Sequence, residues 1–358
     1  MAEGNQQDAF LGLAPEDVGF ETFLEIFNFF DFQEKFAKNL IAKLALSSLS
    51  LPLTVTRTLI QLGHEPFPLS TGKTLICAGR NAYFLPNAFS YMKQLADTRG
   101  YTTLWTGLDS AIVSLAVQGI ASHRTQQYID EHYPNIGGPL VNQDKEEDEL
   151  TDAESFRRVL RNGFRDSVVR VVAVTVARPF TVCFIRQVAQ IIGNETKYAT
   201  CAQALGIIGK QEGPGGLFSG LAPQILGELL VIWGVHLVTH GIQRAILRTE
   251  VGDTKQKDES KAKAAKDVHK FIHTAVPFLV NSFGYPYSVV SSVMAVAGSG
   301  LAVSFLPYSP SFNNWHGAWD YLRPTGLKRG SRLFLREQVG AVTVGPDQQL
   351  YASNSYFA

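Results

Sequence analysis

Three times along the chain, a proline set in an apolar stretch is followed by a glycine that opens a second apolar stretch. The prolines are Pro52, Pro179 and Pro286, and the glycines are Gly107, Gly220 and Gly330. A hydroxyl stands two residues after each proline: Thr54, Thr181 and Ser288. Arg57 and Arg186 follow in the first two copies, and Ser291 stands in the third. The closing glycines recur about every 110 residues, and an internal period constrains architecture before any single residue does. That period is too long for a solenoid unit. It suits a pair of helices joined by a connecting helix, with the proline bending the first of the pair.

Zero formal net charge and a mean hydropathy of +0.01 would suit a soluble chain, but two polar inserts dilute long apolar runs. Local reading therefore outweighs the average. Spanning segments are expected over 39–63, 104–129, 165–192, 220–247 and 271–306. The boundaries read as an N-terminal segment with an aromatic amphipathic helix (1–38), repeat one (39–141), an acidic loop (142–155) and repeat two (156–248). A charged linker (249–268), a third repeat (269–345) and a tail (346–358) complete the division. The fold class is thus an all-α membrane protein.

Several function classes fall away. Net neutrality argues against nucleic acid, which needs a basic face. Cys77, Cys183 and Cys201 are scattered without metal-ligand spacing. His236 and His240 share a helical face, yet no neighbouring Cys or acid completes a metal set. No phosphate-binding loop and no nucleophile–base arrangement is legible, so neither a cofactor nor an enzyme is expected. The acidic start (Glu3, Asp8, Glu16, Asp17) is unlike a secretory leader or an Arg-rich presequence.

The repeats resemble the mitochondrial solute carrier family, whose motif places an acid two residues after the proline, then a base, then acid–Gly and a closing glycine. Glu212, Gly213, Phe218 and Gly220 match its second half well. The first half departs from it, because Thr54, Thr181 and Ser288 stand where the acids belong. A hydroxyl offers no charge to hold an opposing base, so the carrier's gating ring of ion pairs cannot form. The chain is more similar still to the carrier homologue branch of that family. Leu59 to Pro66, Leu85 to Tyr91, Gln190 to Tyr198, Pro307 to Pro310, Leu226 to Glu228, and Ser331 to Arg336 carry that likeness.

The resemblance implies a three-repeat carrier-like bundle, and a carrier has a sixth span after Gly330. Here three charges and Pro346 interrupt that stretch, well short of the ~20 apolar residues a crossing needs. Five spans are expected, with a polar interior opening sideways as a groove facing lipid. Charged groups inside spans are the natural candidates for function. Arg57, Arg80, Arg170, Arg178, Arg186, Glu228 and His236 are the expected groove-lining set, with Arg186 taken as the counterpart of Arg57. By resemblance the protein would be a mitochondrial outer membrane insertase for tail-anchored and other α-helical clients. The same likeness implies lipid scrambling and a receptor role for truncated Bid. The competing readings are a solute transporter of the carrier type and a non-transporting scaffold.

Overall fold

The computed structural model describes residues 20–74, 79–139, 150–251, 259–304, 312, 314–324 and 326–352. Cys77, the loop residues 142–149 and the Pro307 to Pro310 segment lie outside them. Helices dominate: α1 (Phe20–Gln61), α2 (Ala88–Arg99), α3 (Leu108–His132), α4 (Asp152–Gly193), α5 (Cys201–Gln211), α6 (Gly213–Leu217), α7 (Leu221–Val251), α8 (Glu259–Val296) and α9 (Trp315–Leu322). Two antiparallel hairpins accompany them: β1 (Ser70–Lys73) with β2 (Asn81–Phe84), and β3 (Val342–Val344) with β4 (Leu350–Ala352). The chain divides into two units, Met1–Leu49 and Ser50–Ala358. In the first, α1 carries a Glu34–Lys38 ion pair one turn apart and exposes Ile41, Leu46 and Leu49. All that follows concerns the second.

Local chemistry sets the helix limits. Thr151 caps α4 through a capping box with Glu154. Asn87 caps α2 by accepting from the Ser90 amide, and Thr200 caps α5 through Gln203. α4 stops at Asn194, whose φ of 55° is left-handed. Each motif proline lies inside its helix, Pro52 in α1, Pro179 in α4 and Pro286 in α8, as the repeat predicts.

Four helical stretches are long and apolar enough to cross a membrane: Glu34–Gln61, Tyr101–His132, Asp152–Gly193 and Gly213–Ile246. The expected fifth, α8, is 38 residues long and falls outside that set among the described residues. It still presents an apolar stripe at helical spacing, with Phe271, Phe278, Leu279 and Phe283 all exposed. The expected start of the third span at 165 proves late. α4 begins at Asp152 and runs 42 residues, about 63 Å at 1.5 Å per residue. That is roughly twice the hydrocarbon thickness, so one end of α4 projects beyond it.

α3 packs on α4, α4 on α7, and α7 on α8. The main core joins Leu51, Val55, Leu59 and Ile60 of α1 to Val182, Ile185 and Val188 of α4 and to Ala295 and Val296 of α8. α7 and α8 touch backbone to backbone: a Cβ on Gly227 would lie 2.9 Å from Tyr287 and 3.2 Å from the Gly284 carbonyl. Residues 331–352, where a sixth span would follow Gly330, hold only irregular chain and the β3–β4 hairpin.

Candidate functional site

The bundle has two chemically different ends. At the first, α1, α4 and α8 finish while α3 and α7 begin; it may be named the motif end. Here polar groups are buried and tied to backbone. Arg186 is fully buried and forms a bidentate ion pair with Glu212, with Nη2 2.7 Å from Oε2. Its Nε donates to the Ala295 carbonyl at 2.8 Å. Arg178, equally buried, pairs with no acid among the described residues. It donates to the Ser219 carbonyl (2.9 Å), the Gln224 side chain and the Ser291 carbonyl (3.2 Å). Gln61 accepts from Ser292 and donates to Tyr285, joining α1 to α8. Ser219 donates to the Met294 carbonyl, and Ser291 donates to that of Gly220.

Toward the other end, polar contacts run up the α4–α7 seam, and they are open. Arg170 makes a bidentate pair with Glu228, Nε to Oε2 at 3.1 Å and Nη2 to Oε1 at 2.9 Å. Their side chains are 38% and 29% exposed, so this pair is not sealed by packing. Further along, Asp166 meets His236 Nε2 at 2.8 Å, Ser155 meets His240, and Asp152 meets Arg244 and Arg248. Val172 and Val176 of α4 and Leu226 and Leu230 of α7 are exposed on other faces of the same two helices. A charged pair between two helices of spanning length is tolerable only where water reaches it.

This polar face opens into a cavity of ≈ 430 Å³ lined by Gln126, Asp130, Pro134, Arg161, Asn162, Arg165, Asp166 and His236. Arg165 is paired with Asp130. Arg161 donates only to backbone, the Gly138 and Pro134 carbonyls, among the described residues. Two cations, two carboxylates and an imidazole thus share one wall. Among the described residues, no group of His, Cys, Asp and Glu is placed to hold a metal.

The expected groove set therefore splits. Arg170, Glu228 and His236 share the open seam. Arg178 and Arg186 do not: they are enclosed at the motif end, because backbone carbonyls and Glu212 converge on them. Arg186 is also not the counterpart of Arg57. Counting from the prolines, Phe184 takes that place, and it packs where a Cβ on Gly107 would meet it. Arg57 is exposed and forms no ion pair with a described residue. Arg80 lies beside the β1–β2 hairpin, paired with Glu337 at 2.7 Å, away from the seam. Thr54 and Thr181 donate to the carbonyls of their own helix, at Ser50 and Ala177, and Thr181 also meets Ser114 at 2.8 Å. Ser288 is exposed. Asp130, Arg161, Arg165 and Asp166 were not among the expected groove residues, although three charges within six residues of α4, Arg161, Arg165 and Asp166, were a usable signal.

Fold and site together define an all-α, multi-span membrane protein built on three carrier-like repeats, with one end closed and a charged face left open. A search against protein-family profiles finds no match. Individual relatives do. The chain is 30% identical to mitochondrial carrier homolog 1 of Mus musculus over 297 residues, covering 81% of this chain and 74% of that protein. It is 29% identical to mitochondrial carrier homolog 2 of Mus musculus over 295 residues, and to that of Homo sapiens over 293, in each case 82% of this chain and 91% of the relative. The chain belongs to the mitochondrial carrier homologue family and is a mitochondrial membrane protein.

Proposed function

We propose that this protein is an insertase of the mitochondrial outer membrane that admits tail-anchored and other α-helical clients along the open α4–α7 seam. The observation that carries the reading is the part-exposed Arg170–Glu228 pair between α4 and α7, two helices long and apolar enough to cross a membrane. A tail-anchored client must move a short polar tail through hydrocarbon. Each charge in that tail costs roughly 2.5–3.5 kcal/mol at the centre of the bilayer. A hydrated charged face lowers that barrier, and no bond is made or broken.

The motif end weighs against a solute transporter. Alternating access requires that end to open. Opening it would separate Arg186 from Glu212 and strip Arg178 of its carbonyl acceptors, leaving buried charges unpaired. A scaffold with a vestigial groove would have no need of a mid-span charge pair. Lipid scrambling is a second reading. The cavity's two cations and two carboxylates match a zwitterionic headgroup as well as a peptide tail. A receptor role for truncated Bid rests on the family likeness alone.

The test is insertion of a labelled tail-anchored client into liposomes holding the purified protein, read by protease protection. Glu228→Arg is expected to reduce protection at least several-fold at equal protein content, and adding Arg170→Glu to restore part of it. Unchanged protection with Glu228→Arg sinks the seam as the route. Lipid flip on the same vesicles separates scrambling from insertion.

A further inference from the structure

The chain after Gly330 does something that neither a missing helix nor the open seam explains. A Cβ on Gly330 would meet the Tyr285 hydroxyl of α8 and the Arg57 carbonyl of α1, so the glycine sits where these helices meet. From there the chain turns sideways along β2 and the start of α2. The Ala88 amide donates to the Leu333 carbonyl (2.7 Å), Leu85 to Arg336 (2.8 Å), and Gln338 to Tyr83 (2.8 Å). Glu337 bridges to Phe84, and the Leu69 amide donates to Leu350. A buried ion pair, Arg336 with Glu65, pins the strap, and Arg336 also donates to the Pro86 carbonyl.

The rigid mount presents an apolar surface outward. Phe89 and Phe334 pack ring to ring, with centroids 5.7 Å apart, yet are 61% and 59% exposed; Leu335 is 76% exposed. Two exposed cations lie beside them in sequence, Lys93 one turn along α2 and Arg332 two residues before Phe334. Exposed Tyr101 and Trp105 precede α3, where an aromatic belt marks the membrane boundary. The matching connector of the second repeat differs. α5 turns Ala202, Gly206 and Gly209 outward, and no strap runs along it among the described residues.

We propose that α2 and the strap form a docking surface for the bilayer itself. Phe89, Phe334 and Leu335 enter the interfacial layer while Lys93 and Arg332 meet anionic headgroups. Exposed apolar side chains with cations close by are the pattern of an interfacial anchor. The Arg336–Glu65 pair holds the strap in register so that its apolar side chains stay aimed at lipid.

The test uses the full chain in phosphatidylcholine–phosphatidylglycerol vesicles, with a nitroxide on Leu335→Cys. Collision with oxygen, which concentrates in lipid, is compared with collision with a water-soluble nickel chelate. Phe283→Cys on α8 gives the lipid reference, Gln349→Cys the water reference, and labelling of the parent protein is subtracted. The oxygen-to-nickel ratio at Leu335 is expected severalfold above that at Gln349 and to rise with anionic lipid. A ratio equal to Gln349 overturns the proposal, as do low collisions with both reagents, which would mean a protein covers the patch. Arg336→Gln is expected to drop Leu335 to the water value and leave Phe283 unchanged. If Leu335 stays in lipid, or Phe283 moves with it, the lock role is overturned.

Discussion

α4 carries one residue type into two opposite environments. Its C-terminal half buries Arg178 and Arg186 against the Ser219, Ser291 and Ala295 carbonyls, the Gln224 side chain and the Glu212 carboxylate. Earlier in the helix, Arg165 and Arg170 each face a single acid, and those acids, Asp130 and Glu228, reach solvent. The lesson is that a lost gate need not leave a loose end. Thr54, Thr181 and Ser288 cannot form a ring of charges, and buried arginines bind the same end shut by other means. The open seam keeps the opposite property, charges held by partners but not hidden.

The largest effect should come from breaking the closed end at Arg186. Arg186→Leu leaves Glu212 mostly buried and unpaired, and removing one partner of a buried pair typically destabilises by about 3–5 kcal/mol. Urea unfolding in detergent should show it, and the double variant with Glu212→Leu should recover part of the loss. A loss under about 1 kcal/mol would mean the pair does not hold that end.

Arg178→Leu comes next. It leaves only neutral acceptors unsatisfied, the Ser219 and Ser291 carbonyls and Gln224, each worth about 1–3 kcal/mol when buried and unmatched. Thr181→Asp, which restores the carrier's acid, should destabilise by about 1–2 kcal/mol. The new carboxylate would face Ser114, and Phe184 stands where a carrier has its base. If Thr181→Asp instead stabilised the fold, a hidden cation would have to face that position.

A smaller effect belongs to the connector beneath the strap, through pH. Burial, reinforced by the charge of Arg99, pushes the His64 imidazole down to about 4. The unfolded chain takes up that proton near 6.5. Stability is therefore lost as pH falls from 6.5 towards 4, by at most about 1.4 kcal/mol per unit. Glu65 acts the other way. Burial raises its pKa, and Arg336 opposes the rise without cancelling it. The native state then holds the proton more tightly, so stability falls as pH rises through the native value. Arg336→Gln removes the opposing charge. In a His64→Phe background, that variant should melt at a higher temperature at pH 5.5 than at pH 7.5. The reverse order would mean Glu65 finds another cation.

Repetition made the fold legible. Pro52, Pro179 and Pro286 announce kinked helices, and Gly107, Gly220 and Gly330 announce the turns that start or replace the second of each pair. Glu228 was legible as a charge amid leucines. That Arg170, also an expected groove residue, pairs with it was not, because the two lie 58 residues apart and only the α4–α7 packing brings them together. Arg186 was misread for the same reason. Sequence shows a cation in a span but not Glu212, nor the Ala295 carbonyl, that enclose it. The strap was invisible, since its backbone hydrogen bonds to the β1–β2 hairpin depend on no particular side chain, and Arg336 finds Glu65 across 271 positions.

The smallest stability effect is expected at the Arg170–Glu228 pair, and there the comparison becomes sharpest. A pair this exposed contributes about 0–1 kcal/mol in water. Glu228→Gln keeps the side chain's size, removes its charge, and leaves Arg170 reaching the same aqueous face. Stability should therefore move by less than about 1 kcal/mol, while client protection in liposomes falls. Arg186→Leu should show the opposite balance, with stability lost and any activity loss tracking the amount of folded protein. If Glu228→Gln proved as destabilising as Arg186→Leu, the seam would be packed against protein or lipid rather than wet. The two ends of α4 would then be doing the same job.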